Sequence, residues 1–325
     1  MRGFAAALGL CLLFAQTQVL AQAPSDPVSW LGRIATAGQR LTYSGTFIYQ
    51  SGKNFETSRI SHMVDAGGTE HERLEVLDGS PREVIRTNSE VRCVLPDQKI
   101  VIIDQPGGQR AFPARLPASF GSLTENYRIR KGESSRVAGL DAQLIILEPK
   151  DDLRYGHLLW AEVQSGLLLK ARTIDERGEI IEQFTFGDVK IGGEIATEAF
   201  KPRYVKDDRW RVVRAHGVEV GKEESGWVLT TPLPGYSMMS IVRRPIGRDR
   251  AEVLHFVFSD GLAAISVFIE PLAPDGAVNS AGPLAPSGAI NTYKRVVAGH
   301  LVTTLGEVPL RAVQRLGDGI EPVAR

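Results

Sequence analysis

"ERLEVLDGSPREVIRTNSEVRCVLPDQKIVIIDQP", residues 72–106, consists of short half-apolar arms separated by turn residues. The turns fall at Asp78-Gly79-Ser80-Pro81, at Asn88-Ser89 and at Pro96-Asp97-Gln98. Strand-forming runs bounded in this way are typical of a β-meander. The stretch has one cysteine, no histidine and no catalytic pair. It therefore predicts a sheet that performs no chemistry of its own.

The residues before the meander predict one helix and a first strand. In "SDPVSWLGRIATAGQRL", residues 25–41, Ser25 or Asp26 can cap a helix that has Pro27 in its first turn. Its apolar residues recur at roughly helical spacing: Trp30, Leu31, Ile34 and Leu41. The next residues, "LTYSGTFIYQ", alternate and place Leu41, Tyr43, Phe47 and Tyr49 on one face of a strand.

The residues after the meander extend the same sheet. Residues 111–136 read as a loop with short helical pieces, and strands then resume with hairpin turns at residues 164–166 and 176–178. Some arms carry bulky apolar side chains on both faces, which predicts a curved antiparallel sheet with a cavity on its concave side. We expect alternate strand residues to line that cavity, namely Phe47, Leu74, Val76, Ile85, Phe184 and Phe186. The alternative for each of them is a dry, filled core.

A second, smaller β-domain is predicted after a charged segment at residues 201–223. Residues 224–325 begin with two hairpins, the second of which turns at Ser259-Asp260-Gly261, and close with a helix opened by Pro309. Between the hairpins lie four arginines: Arg243, Arg244, Arg248 and Arg250. Residues 271–291 are rich in Gly, Pro, Ala and Ser and predict a mobile loop.

The first residues, "MRGFAAALGLCLLFAQTQVLAQAPSD", predict a cleavable secretory signal peptide. A basic Arg2 precedes an apolar run that is too short to span a bilayer, and small residues follow it. We expect cleavage after Ala21, because cleavage after Ala23 would place Pro24 next to the scissile bond. Cys11 lies inside the apolar run after Leu10, which argues against a lipoprotein. The mature protein is then expected to be exported and soluble, with residues 24–200 as its first domain.

Composition and charge exclude several classes of protein. The 325 residues are 43% hydrophobic and 23% charged, as in ordinary globular domains. Without the signal peptide there are 37 basic and 38 acidic residues, so nucleic acid is not an expected partner. Cys93 has no partner for an internal disulfide, and we expect it to be a buried strand residue.

No catalytic or metal-binding pattern stands out. The six histidines show no pair at metal-ligand spacing; most are expected on the surface, with His157 or His255 half-buried. "PGYSMM", residues 234–239, lacks the second glycine of a nucleophile elbow, and Asp151-Asp152 lies next to a turn, where solvated carboxylates are usual. We therefore predict a protein that is not an enzyme and that has no metal and no cofactor.

The order of the motifs resembles the RseB/MucB family of periplasmic negative regulators of the envelope-stress sigma factor. The resemblance runs from about Trp30 to the C-terminal helix. Its most specific parts are the arm with Glu179, Glu182, Gln183 and Phe184, and the Arg-Arg-Pro that follows an aromatic-bearing strand in "LPGYSMMSIVRRP". The main departure is the loop at residues 271–291.

The resemblance implies a fold and a function. The fold is mainly β with few helices: a large N-terminal antiparallel half-barrel similar to lipoprotein carriers, and a C-terminal β-domain with a terminal helix. The function is to bind the periplasmic domain of a membrane-spanning anti-sigma factor and to shield it from the first protease, until lipid or lipopolysaccharide displaces the regulator.

Two alternatives accompany this interpretation. The first is a periplasmic lipid or lipoprotein carrier that uses the same hollow; the second is an exported hydrolase, which lacks a visible nucleophile. The four arginines are either a solvated loop or a site for acidic side chains of the partner or for lipid phosphates. The sequence leaves the oligomeric state open, with a homo-oligomer as one alternative.

Overall fold

The protein folds into two β-domains. The structure is a computed structural model, and it describes residues 25–105, 121–204, 209–245, 252–272 and 281–323. The predicted signal peptide, Cys11, Arg248 and Arg250 lie outside these residues. The fold class predicted from the sequence is confirmed: strands dominate, the sheets are open, and a helix lies near the C-terminus.

The first domain begins with the predicted helix, α1, Pro27–Arg40. Asp26 is its N-cap, because the carboxylate of Asp26 accepts a 2.8 Å hydrogen bond from the Ser29 amide. Trp30, Leu31 and Ile34 are buried on one side of the helix, as the spacing predicted.

Twelve strands form the first sheet. They are β1 (Tyr43–Ser51), β2 (Asn54–Val64), β3 (Glu70–Val76), β4 (Glu83–Thr87), β5 (Val91–Leu95), β6 (Ile100–Asp104), β7 (Tyr127–Val137), β8 (Leu140–Pro149), β9 (Gly156–Glu162), β10 (Leu168–Ile174), β11 (Ile180–Ile191) and β12 (Arg211–Arg214). The order across the sheet is β12-β6-β5-β4-β3-β2-β1-β11-β10-β9-β8-β7. All neighbouring pairs are antiparallel except β12 and β6, which are parallel. A short helix, α2 (Gly121–Asn126), precedes β7, and a 3₁₀ helix, Thr197–Phe200, follows β11.

The sheet curves around α1. This helix contacts β2 and also β7, which lie six strand spacings apart in the sheet. In a flat sheet these strands would be ~29 Å apart at ~4.8 Å per spacing, far more than the ~10–12 Å diameter of a helix. The sheet is therefore an open half-barrel with α1 on its concave face.

The second domain has a seven-stranded sheet in the order β13-β15-β16-β17-β20-β19-β18. Its strands are β13 (Val218–Glu219), β15 (Ser237–Arg244), β16 (Val253–Ser259), β17 (Ala264–Pro271), β18 (Gly282–Pro283), β19 (Asn291–Val297) and β20 (His300–Gly306). A short helix, α3 (Lys222–Ser225), precedes a separate ribbon made of β14 (Trp227–Leu229) and β21 (Ile320–Pro322). The terminal helix, α4 (Leu310–Asp318), starts after Pro309 and packs against β19 and β20.

The segment predicted as a linker, residues 201–223, contributes strands to both sheets. β12 pairs with β6 at the edge of the first sheet, and β13 pairs with β15 at the edge of the second. Part of the loop predicted at residues 271–291 is also paired: β18 lies against β19, and Ser287 bridges Ile290.

The packing predicts which aromatic residue stabilises the first domain. Phe184 is 2% exposed inside the core, and Phe55 is 65% exposed on β2. We expect Phe184→Ala to lower the free energy of unfolding by about 3–5 kcal/mol, because it leaves a cavity. Phe55→Ala should change it by less than ~0.5 kcal/mol. Urea denaturation of both variants measures this, and equal effects would contradict the proposed core.

Candidate binding sites

The concave face of the half-barrel holds most of the predicted lining residues. One row across the sheet joins Phe186, Phe47, Ser58 and Val76. Leu74 shares their face and packs against the same cluster. The rings of Phe47, Phe184 and Phe186 contact one another, with centroids 4.8–5.9 Å apart. Around these three rings the concave face is a packed aromatic core. A lipid that bound there would have to displace the rings or pack against their exposed side.

Ile85 does not join this set. It pairs with Arg73 across β3 and β4, whereas Leu74 pairs with Val84, so Ile85 lies on the opposite face. On that face the buried carboxylate of Glu83 forms an ion pair with Arg73 and also accepts a hydrogen bond from the backbone amide of Arg203. Alternation along β4 alone could not give the correct face, because the face depends on the register with β3.

Cys93 and the histidines show only structural contacts in the described ranges. Cys93 is half-buried on β5, and burial raises the pKa of its thiol. His62 was expected on the surface but is fully buried: it stacks on Tyr43 and lies 3.2 Å from Glu70. Among the described residues, no group of three His, Cys, Asp or Glu side chains could hold a metal ion.

The arginine cluster is divided by the fold. Arg243 lies 3.7 Å from Glu224 and 3.6 Å from Glu252 and is about one-third exposed. Arg244 instead bonds Asp104 of the first domain at 2.9 Å and the Ala215 carbonyl at 2.9 Å. Arg244 is therefore an interdomain contact rather than a member of a solvated loop.

The outer strand of the second domain leaves an open edge. β13 covers only Val242 and Arg243 of β15, and the Val220 amide donates to the Ile241 carbonyl. In the described part of the chain, the outer side of residues 237–240 has no strand beside it. The pairing with β16 shifts between Met238 and Ser240, and Met239 at this bulge is 63% exposed.

A cavity of about 250 Å³ lies along this edge. It is lined by Glu219, Val220, Lys222, Met238, Met239, Ser240 and Ile241. Val218, which is 72% exposed, lies next to it in sequence. An unpaired edge beside a cavity of mixed polar and apolar lining is a feature to which extended peptides can add as an extra strand. We name residues 237–240 with this cavity the β15 edge site.

The two domains are joined by a buried ion pair. Arg154, in the loop between β8 and β9, donates through Nε to Asp260 Oδ2 at 2.9 Å, and both side chains are fully buried. Arg154 also donates to the Pro234 carbonyl at 2.6 Å and lies 4.8 Å from the centre of the Tyr236 ring. Tyr127 of β7 donates to Asp260 at 3.1 Å, and burial raises the pKa of Tyr127 well above its usual value, so it stays protonated.

Gly235 shows how tightly this contact is packed. Its φ is +73°, and a Cβ built on it would collide with the Arg154 guanidinium and with the Asn126 side chain. In the sequence, Gly235 stands within an incomplete nucleophile motif, and Asp260 stands in a predicted turn. The glycine in "PGY" was the one local signal of a close approach between two segments.

Other contacts also join the two domains. Asn291 donates to the Tyr155 hydroxyl at 2.9 Å, and the Ala289 amide donates to Ser51 Oγ at 3.3 Å. Arg311 pairs with Asp152 at the exposed rim. Because exposed pairs contribute little, the buried pair is the specific link among these contacts.

Comparison with known proteins places the chain in a class of regulatory binding proteins. The family model of the MucB/RseB N-terminal domain matches residues 26–204, and that of the MucB/RseB C-terminal domain matches residues 221–321. The chain belongs to the MucB/RseB family.

Curated relatives agree with this assignment. The sigma factor AlgU regulatory protein MucB of Pseudomonas aeruginosa is 32% identical over 325 residues, which cover 97% of each chain. The sigma-E factor regulatory protein RseB of Escherichia coli K12 is 24% identical over 310 residues, which cover 93% of each chain. A crystal structure of MucB in complex with MucA(peri) covers 92% of this chain and 100% of that chain at 29% identity, with a TM-score of 0.69.

His255, on the outer face of the second sheet, makes stability depend on pH. It stacks on Phe268 at 4.2 Å and lies 3.0 Å from Ser266 Oγ. Burial lowers the pKa of His255 from 6.5 to about 4, and the positive charge of Arg244 adds to this effect. The negative charge of Asp104 acts in the opposite direction. The unfolded chain therefore binds more protons than the folded protein between these two values.

We expect the stability contributed by neutral His255 to be complete above pH 6.5 and to be lost as the pH falls toward 4. The loss amounts to roughly 3 kcal/mol in the free energy of unfolding. Urea denaturation from neutral to acidic pH, with His255→Gln as the reference variant, isolates this contribution. Parallel pH curves for the two proteins would show that His255 does not titrate in this way.

Proposed function

We propose that this protein is exported to the periplasm, where it binds the periplasmic segment of a membrane-spanning anti-sigma factor. The bound regulator shields that segment from the first protease and so keeps the sigma factor inactive. The relative MucB, solved in complex with MucA(peri), supports a partner of this kind. The observation that carries the proposal is the β15 edge site, since the first domain alone would also suit a carrier.

The β15 edge site suits an extended segment of the partner. Unpaired backbone groups supply hydrogen bonds whatever the partner's sequence, and the cavity beside Met238 and Met239 accepts an apolar side chain. Methionine adapts to the shape of such a side chain. Glu219 and Lys222 at the rim add charges that favour one register and one direction of the segment.

Shielding follows from strand addition. A protease binds its substrate as an extended chain, and a segment already paired with β15 cannot be extended in a second active site. The regulator therefore needs no catalytic group, which agrees with its membership of a family of regulatory binding proteins.

Release by a lipid-like molecule is the proposed role of the first domain. Five of the six residues named for the cavity lie on its concave face, around the aromatic cluster. An acyl chain that entered this face would have to push the packed rings apart, and would thereby move strands that contact the second domain. Lipopolysaccharide and other lipids of a damaged envelope are the expected signals.

A lipid or lipoprotein carrier is the alternative function, because it would use the same concave face. The second domain, with its open edge and its buried link to the first, favours the regulator.

Substitution of Met239 tests the docking surface. Met239→Lys places a charge on the bulge and should weaken binding of the partner's periplasmic segment by ~10-fold or more, and should speed its cleavage by the first protease. Val296→Lys, at a 46% exposed position on β19, is the matched control. Isothermal titration and a timed cleavage assay measure both effects.

If the segment is cleaved at the same rate with and without the parent protein, shielding is contradicted and a carrier is favoured. Met239→Lys with parental affinity would place the docking surface elsewhere.

Arg243 remains the predicted contact for acidic side chains of the partner. Glu224 and Glu252 lie near it but are 66% and 73% exposed, so a partner carboxylate can replace them. Arg243→Glu should weaken binding ~3–10-fold at low ionic strength, and much less at high salt, because rim charges are screened. Arg244 is left unchanged in this test, because it bonds Asp104. A loss that is equal at all salt concentrations would argue against an electrostatic role.

A further inference from the structure

The loop between β8 and β9 joins the cores of both domains. Leu153, in this loop, is buried in the core of the second domain. In the opposite direction, Leu262 of the second domain packs against the core that contains Trp30 and Tyr127 of the first. Arg154 and Asp260 form their ion pair between these two insertions. We name Arg154, Asp260 and Tyr127 the joint.

The joint holds the end of the hairpin that carries the β15 edge site. Pro234, whose carbonyl accepts from Arg154, lies three residues before Ser237, the first residue of β15. Ser237 pairs with Ser259, which precedes Asp260. Asp260 also accepts from the amides of Leu262 and Ala263 and so fixes the turn after β16. Both strands at this end of the site are therefore held by groups that bond Arg154.

The first-domain side of the joint lies at the concave face. Tyr127 is 1% exposed among residues of α1, β8 and β10, and its hydroxyl reaches Asp260. A movement of α1 or β7 that shifts Tyr127 must therefore change a bond to the turn beside β15. The ion pair is fully buried, so no water can replace either partner if the pair separates. Separation of Arg154 from Asp260 therefore costs free energy.

We propose that the joint couples the concave face of the first domain to the β15 edge site, so that displacement of the α1 core shifts or loosens the start of β15. This inference rests on the proposed function and names the route by which a ligand in the first domain releases the partner. The edge site is competent for docking only while Arg154 holds Pro234 and Asp260.

Two variants of the full-length mature protein test the coupling. Asp260→Asn keeps the side-chain size and an oxygen for the amides of Leu262 and Ala263 but removes the charge that faces Arg154. Arg154→Met with Asp260→Leu replaces the ion pair by apolar groups. The control is Arg311→Met with Asp152→Leu, which removes the exposed interdomain pair that begins at the same loop.

The first measurement needs no ligand. Hydrogen exchange of the amides of residues 237–241 should be ~10-fold or more faster in both joint variants, because the local opening of β15 becomes easier. The control should exchange like the parent. Unchanged exchange at residues 237–241 in folded joint variants would overturn the proposal, whatever the partner or the ligand proves to be.

The second measurement compares the Kd for the partner's periplasmic segment with and without purified lipid A. In the parent and in the control, lipid A should raise the Kd ~10-fold or more, whereas in the joint variants the ratio should fall below ~2. If lipid A raised the Kd of the joint variants as much as it raises the Kd of the parent, the proposed coupling would be wrong. No effect of lipid A on the parent would contradict release by lipid in the proposed function, and the exchange result then decides on the joint alone.

Discussion

The buried ion pair between Arg154 and Asp260 is the interaction on which the arrangement of the two domains depends. Each charge is fully removed from water, and each is compensated by further bonds, to the Pro234 carbonyl for Arg154 and to Tyr127 for Asp260. Loss of Arg154 would leave the Asp260 charge buried without a cation, at a cost of about 3–5 kcal/mol. Loss of Asp260 would leave Arg154 with its remaining pair to Asp151. A pair with such a penalty stabilises one relative placement of the domains over the alternatives.

The half-barrel supplies the surface that this link connects to the second domain. Its sheet is wide enough to curve around α1, and its concave face is closed by aromatic contacts at Phe47, Phe184 and Phe186. In the second domain, no described strand lies on the outer side of residues 237–240 of β15. In the proposed function, the closed apolar face of one domain senses the lipid and the open strand edge of the other binds the partner.

Much of the fold could be predicted because its signals are local. The helix cap at Asp26, the hairpin turns at residues 164–166 and 176–178, and the helix that follows Pro309 all depend on neighbouring residues. Ile85 and His62 were placed wrongly for a different reason. The face of a strand residue and the burial of a histidine depend on the register of strands that are distant in sequence.

The joint was missed for the same reason on a larger scale. Arg154 and Asp260 are 106 residues apart, and each looks ordinary in its own loop. Arg244 was read as a free arginine because its acceptor, Asp104, lies 140 residues away in the other domain. A cluster of arginines in the sequence indicates local positive charge. Only the three-dimensional structure shows which of these arginines already has an acidic partner within the protein.

The most direct test of a fixed joint is the distance between the two domains in solution. Spin labels at Phe55→Cys and Val296→Cys, in a Cys93→Ser background, lie on exposed positions of the first and second domains. Pulsed electron paramagnetic resonance should give one narrow distance distribution for the parent joint and a broader one when Asp260→Asn is added. A broad or two-peaked distribution with the joint intact would contradict the central claim.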